Sequence, residues 1–268
     1  MEILPLGGLA SHLCAQVAIG VVGAMLIVRP EDVEPKFFRL NGLIAAVLGI
    51  ASALLTQWIG ADRMSFVVLI LFSLLLAVYS ATVVSLPRGI ERALLGIAVV
   101  LGALFIFGPL RQHTPIRWHT LGDATSMFLG GLIMGAAVVA MNVGHWYLSA
   151  SQLSIRPLRR TTSWLALLLI VRTTLLLAAT VILYRGNADL ATWILPQVRV
   201  DPIFIVSVST MRVLFGILGP LLLAYMAWET TKIRSTQSTT GILFALLAMV
   251  LVGEGTALYV SSITILPA

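Results

Sequence analysis

Three ionisable side chains sit deep inside long apolar runs: Arg172, Arg212 and Glu254. A charge near the centre of a bilayer is costly, so such groups face protein, pair with one another and mark sites of function. Two arginines oppose one glutamate. Counted from the loop between the last two runs, Arg212 lies 16 residues before Trp228 and Glu254 lies 13 residues after Gly241. Helical rise then puts the two at heights differing by roughly 4 to 5 Å, which an arginine side chain spans. The expectation is an Arg212 to Glu254 pair, with Arg172 left as a cation suited to a cofactor propionate, a lipid phosphate or a carboxylate substrate. The structural alternative is a fixed brace between helices.

A second group of residues has the chemistry of cofactor ligands. His12 and Gln16 stand one helical turn apart in the first apolar run, followed by Gly20 and Gly23 on the same face. A polar and small-residue stripe of this kind must face protein, and it is expected alongside helix seven or eight. Met127, Met134 and Met141 form a heptad stripe in the fifth run, with Asn142 beside it and His145 one turn on. Thioether and imidazole are ligands for copper or haem, although a Met stripe at this spacing also serves packing. Gly131 and Gly135 on the same run make a small-xxx-small face. His12 near the outer side is too far from His145 near the inner side for both to ligate one haem. His113 or His119, from the loop above His12, is the alternative partner for a b-type haem or a quinone. No Cys-x-x-Cys-His motif is present, and Cys14 is the one cysteine, so neither c-type attachment nor an intrachain disulfide arises.

The elements that must position these residues are membrane spans. Hydrophobic residues make up 59% of the chain and charged residues 10%, with a mean hydropathy of +1.02. That is the balance of a polytopic membrane protein. A span needs about 20 mainly apolar residues, and eight segments qualify: Leu6 to Val28, Leu40 to Ile59, Met64 to Leu86, Ala93 to Leu110, Asp123 to Leu148, Thr162 to Tyr184, Ile203 to Trp228 and Gly241 to Ile265. The first reads as a span that stays rather than a cleaved leader, since no basic residue precedes it. The expected fold is therefore an all-α bundle of about eight transmembrane helices in a single domain, 1–268, with no internal repeat evident. Gly216, Gly219 and Pro220 stand inside helix seven and predict a kink or local break. Ser235 to Thr240 is a polar run able to cap helix eight.

Basic residues concentrate in alternate loops. Those after helices one, three, five and seven carry Arg29, Lys36, Arg39, Arg88, Arg92, Arg156, Arg159, Arg160, Lys232 and Arg234, whereas the others carry only Arg63, Arg111, Arg117, Arg185 and Arg199. The positive-inside rule places the richer set in the cytoplasm of a bacterial-type inner membrane, with both termini on the outer side. Tryptophans fall at the ends of spans: Trp58, Trp118 and Trp193 at one interface, Trp146, Trp164 and Trp228 at the other. The outer loops Arg111 to Gly122 and Arg185 to Pro202 are long enough to cover a site or to rest on the membrane surface. The net charge of +6 reads as topology and lipid contact, with the bilayer and other membrane subunits as partners and no nucleic acid.

No P-loop, Gly-x-Ser-x-Gly or His-Glu-x-x-His motif is present. Three functions fit the residues. The first is a subunit of a membrane electron-transfer assembly holding a quinone or b-type haem at a polar cluster in the outer half of the bilayer. The second is a small-solute or proton-coupled transporter using the broken helix seven. The third is a structural or assembly subunit. The sidedness itself is testable with Cys14 replaced: among single cysteines at Ser154, Ser235 and Thr192, only Thr192→Cys is expected to react with an impermeant thiol reagent in intact cells. Labelling of Ser154→Cys would reverse the orientation.

Overall fold

The computed structural model describes residues 6–60, 63–107, 121–149, 154–186 and 202–263. Helices α1 (Leu6–Met25), α2 (Pro35–Trp58), α3 (Arg63–Thr82) and α4 (Arg88–Phe107) are followed by α5 (Leu121–Ser149) and α6 (Arg156–Gly186). The seventh crossing, α7, is composite, running through Pro202–Val213, a π-helical turn at Leu214–Leu218 and Gly219–Lys232. Helix α8 (Thr236–Ile263) ends the described chain. Among the described residues eight helical spans are long and apolar enough to cross a membrane. The protein is thus an all-α polytopic bundle, as its composition requires.

Helix starts differ from the apolar segments in one systematic way. Helices α2, α4, α6 and α8 begin at Pro35, Arg88, Arg156 and Thr236, about a turn and a half earlier than hydropathy places them. Their first turns carry Lys36, Arg88, Arg92, Arg159 or Thr residues, so the helix extends into the polar interface. Proline at or just before the first turn, as at Pro35, Pro87 and Pro157, is compatible with helix initiation because those amides have no helical partner to lose.

The contacts between helices repeat. Helix α1 packs on α2 and α4, α2 on α3, and α3 on α4; likewise α5 packs on α6 and α8, α6 on α7, and α7 on α8. Two closed groups of four consecutive helices are joined by an extensive α1 to α5 crossing. The sequence shows no repeat, because packing of this kind constrains residue size at a few crossings rather than identity along the chain.

Glycine sets the central crossing. A Cβ built on Gly20 would fall onto the carbonyl of Gly131, and one on Gly135 would overlap the backbone of Gly20 and Val21. The two backbones touch where lipid-facing residues would keep them apart, the mode of association that membranes favour. Flanking interfaces use the same device with hydroxyls. Ser11 Oγ bonds Thr56 Oγ1 at 2.7 Å and Ser52 O at 3.0 Å, tying α1 to α2. Ser73 and Ser80 of α3 lie against Gly49 and Gly42 of α2.

Outward faces are apolar, as a bilayer demands: Leu43, Val47 and Leu54 on α2, Leu71, Leu74 and Val78 on α3, and Leu218 and Leu222 on α7 are all exposed. Trp58 is 78% exposed at the end of α2, as an interfacial anchor would be. Trp228 instead stacks under Lys232, whose Nζ lies 3.4 Å from the ring centroid, and Trp146 meets Phe37 edge-on at 6.1 Å. Trp118, Trp193 and the outer-loop segments around them lie outside the described residues. The crossing is directly testable. Gly20→Ala should lower thermal stability in detergent by about 1 to 3 kcal/mol through overpacking, whereas Gly96→Ala, where a methyl meets open space, should be neutral or gain up to about 1 kcal/mol of helix propensity.

Candidate functional site

The strongest electrostatic feature of the bundle is assembled on α5. Gly130 leaves room for two side chains that converge on it from neighbouring helices: a Cβ there would overlap Glu254 Oε2 and sit 2.9 Å from Arg172 Nη1. Arg172 Nη1 donates to Glu254 Oε1 in a buried ion pair. Arg172 is 6% exposed and Glu254 4%, so the pair is screened from lipid and water alike. At such low local dielectric each charge needs the other.

This pairing corrects the sequence expectation. Among the described residues the ion-pair partner of Glu254 is Arg172. Counting residues gives depth along each helix but not azimuth, and Arg172 is the arginine whose helix α6 packs beside α5. Arg212 is half-buried and lines the same small cavity as Arg172 and Glu254, together with Gly216, Gly253 and Thr173. The three ionisable residues singled out in the sequence therefore do share one locus, with the pair redistributed.

The cavity has about 10 Å³ of space for the centre of a water molecule, near the minimum that holds one water. Arg172 Nε is buried there with no hydrogen-bond partner. A guanidinium donor in that state costs stability unless something small and polar meets it.

The cavity wall on α7 is the helix break. Gly219 N–H donates to Leu214 O, five residues back, where an α-helix would reach four. Pro220 follows and can donate nothing. The expected break thus takes the form of a π turn that absorbs the missing bond one turn ahead of the proline. Gly216 in that turn lies against Gly253, a Cβ on the former being 3.4 Å from Cα of the latter. Close approach of α7 and α8 brings the irregular turn next to Glu254.

Helix α1 turns its stripe into the bundle. His12 and Gln16 are buried, at 6% and 2% exposure, so the inward orientation holds. Beside them stand α4 and α5, the His12 ring lying 5.7 Å from Phe105 and Gly131 against the Gln16 backbone, while Leu9 and Leu13 of the same helix pack with Leu258 of α8. The Gly20 crossing turns this face of α1 toward α5. Both side-chain polar atoms of Gln16 are buried without a hydrogen-bond partner.

The Met stripe packs. Met127 and Met134 are 1% and 0% exposed in the core. Asn142 Nδ2 donates to Asn41 Oδ1 at 2.8 Å, while His145 is exposed and does not approach His12. His113 and His119 lie outside the described residues. Among the described residues no cluster of three or more His, Cys, Asp or Glu side chains has the spacing of a metal site. The polar run before α8 serves more than its cap: Thr239 Oγ1 donates to Thr230 Oγ1 at 2.8 Å and also lies 2.8 Å from Ser235 O, tying α7 to α8. Sequence reading missed Gly130, whose signal is its place one residue before the Gly131 to Gly135 pair. Compared with known proteins, the chain matches no family model, no curated protein and no solved structure.

The pair makes a sharp prediction for a thermal-stability cycle. Glu254→Gln or Arg172→Gln alone should cost about 3 to 5 kcal/mol. Arg172→Met with Glu254→Leu should recover most of that loss.

Proposed function

We propose that this protein is a transporter for a proton or small ion, with Arg172 and Glu254 as its buried charge-coupling element and the π turn of α7 as the adjacent movable part. The observation that carries this reading is the contiguity of the ion pair, the water-sized cavity and the broken helix. Transporter sites characteristically lie near the bilayer midplane, where an irregular helix lines a polar cavity. The repeated four-helix packing supports the same reading, since parallel structural repeats are a common transporter architecture. A cavity of this size suits a proton, a hydroxide or a bare small ion.

In this mechanism Arg172 and Glu254 are held together as an ion pair while the bundle is closed. Movement of α7 at Leu214–Leu218 admits water to the pair and weakens it, and a proton or ion then exchanges at Glu254. Gly216 and Gly253 give the two helices a smooth contact on which to shift. The test is flux in proteoliposomes carrying an internal pH dye under an imposed potassium-diffusion potential. Wild-type protein should acidify or alkalinise the lumen well above protein-free vesicles, and Glu254→Asp should retain part of that rate. Glu254→Leu with Arg172→Met, the stable uncharged pair, should fall to background. Background flux in the wild type under every ion gradient would overturn the proposal.

A second reading has its own support in Gln16. Its unpartnered amide, one turn from the buried His12, suits a quinone carbonyl or the edge of a b-type haem, as expected of a subunit in a membrane electron-transfer assembly. Reduced-minus-oxidised absorption of protein purified from native membranes, with quinone extraction alongside, separates this reading from the first. A haem band or stoichiometric quinone lost in Gln16→Leu supports it. Neither signal in the wild type would exclude it.

A further inference from the structure

Away from the ion pair, a second cavity of about 140 Å³ opens where the loop after α1 and the starts of α2 and α4 meet the end of α3. Its deep lining includes Phe38, Val83 and Glu91, which are 2%, 5% and 5% exposed. Arg88 and Val84 also line it and are themselves exposed, placing them at the mouth. Glu91 Oε1 accepts a hydrogen bond from the fully buried Tyr79 hydroxyl at 3.1 Å. Among the described residues Glu91 has no ion-pair partner. Arg88, one turn before it on α4, stays beyond ion-pair reach.

A buried carboxylate without a counter-ion is expensive, and inside an apolar-walled space it marks a place for a cation. The space is about that of an engineered apolar cavity that takes a benzene ring, roughly 150 Å³. Filling it with several waters would leave most of them facing Phe38, Val83 and proline walls with too few partners. The depth order of the charges is specific. A carboxylate lies at the bottom and a guanidinium at the mouth, with Cβ atoms at helical i,i+3 spacing of about 5 to 6 Å. That polarity matches a molecule with a primary ammonium at one end and a phosphate a few atoms away.

We propose that this cavity binds the phosphoethanolamine group of an aminophospholipid, its ammonium on Glu91 and its phosphate on Arg88. The ammonium donates to the Glu91 carboxylate beside the Tyr79 hydroxyl and lies near the face of Phe38, where a cation is attracted to the ring. Arg88 at the mouth meets the phosphate, the anion its planar fork is shaped for. The exposed Val84 borders the mouth, where acyl chains would run. A choline headgroup fails twice, since its quaternary nitrogen donates no hydrogen bond and its methyl groups need more room.

Native mass spectrometry of the full chain, delipidated and titrated with dioleoyl phosphatidylethanolamine or phosphatidylcholine, tests this. One ethanolamine lipid should bind at least tenfold more tightly than the choline lipid. Glu91→Gln should erase that preference, and Val84→Trp, which plugs the mouth while keeping the carboxylate, should do the same in a variant whose buried core is untouched. Competition by soluble phosphoethanolamine at comparable concentration would assign the site to the free headgroup compound, and its failure to compete to the lipid. Equal binding of the two lipids to the wild type overturns the proposal, as does an ethanolamine preference that survives Val84→Trp.

Discussion

The buried ion pair of Arg172 and Glu254 constrains the second half of this bundle. Arg172 and Glu254 meet inside a space that Gly130 leaves open, and both are almost wholly buried. Removing two ions from solvent costs several kcal/mol apiece, offset only when they face each other in good geometry. Helices α5, α6 and α8 must therefore hold one mutual register. A shift of one turn, about 5.4 Å, would part the charges and strand both. The π turn in α7 sits beside this locked register, so the bundle combines its most constrained contact with its least regular helix.

The two four-helix groups differ in what fills equivalent crossings. In the first, α1 to α3 are held by hydroxyls against glycines and by an apolar core containing Phe37, Phe72 and Tyr79. In the second, the comparable interior is given to charge. Stability in a membrane does not need an ion pair at such a crossing, since small residues and van der Waals packing suffice. Among the described residues a buried ion pair stands in the second group alone, and this asymmetry is what the proposed function rests on.

Much of the fold was legible because membrane spans obey a simple length and polarity rule: every expected apolar segment contains a described helix. The start of α4 at Arg88 was missed because hydropathy registers lipid exposure and not helicity, which continues into the interface. The candidate site was legible in composition and depth, since Arg172, Arg212 and Glu254 stand out in apolar surroundings. Pairing was not legible. It depends on azimuth, and the azimuth of α6 and α8 is fixed by Gly130 and by the Gly216 to Gly253 contact, neither of which carries a chemical signature. Glu91 escaped notice for a related reason: one turn into a helix beside Arg88 and Arg92, it reads as a solvated charge, and only packing against Tyr79 reveals its burial.

The central claim is that Arg172 and Glu254 form a buried salt bridge, and infrared difference spectroscopy addresses it most directly. The spectrum of wild type minus Glu254→Gln, taken in lipid at neutral pH, isolates the Glu254 side chain as either an ionised carboxylate or a protonated carboxyl band. The account predicts an ionised carboxylate in the wild type, with its stretching bands displaced in the same difference taken in an Arg172→Gln background, where the guanidinium contact is lost. A protonated carboxyl band in the wild type itself would contradict it, since Glu254 would then be neutral beside Arg172 and the buried pair would not be a salt bridge.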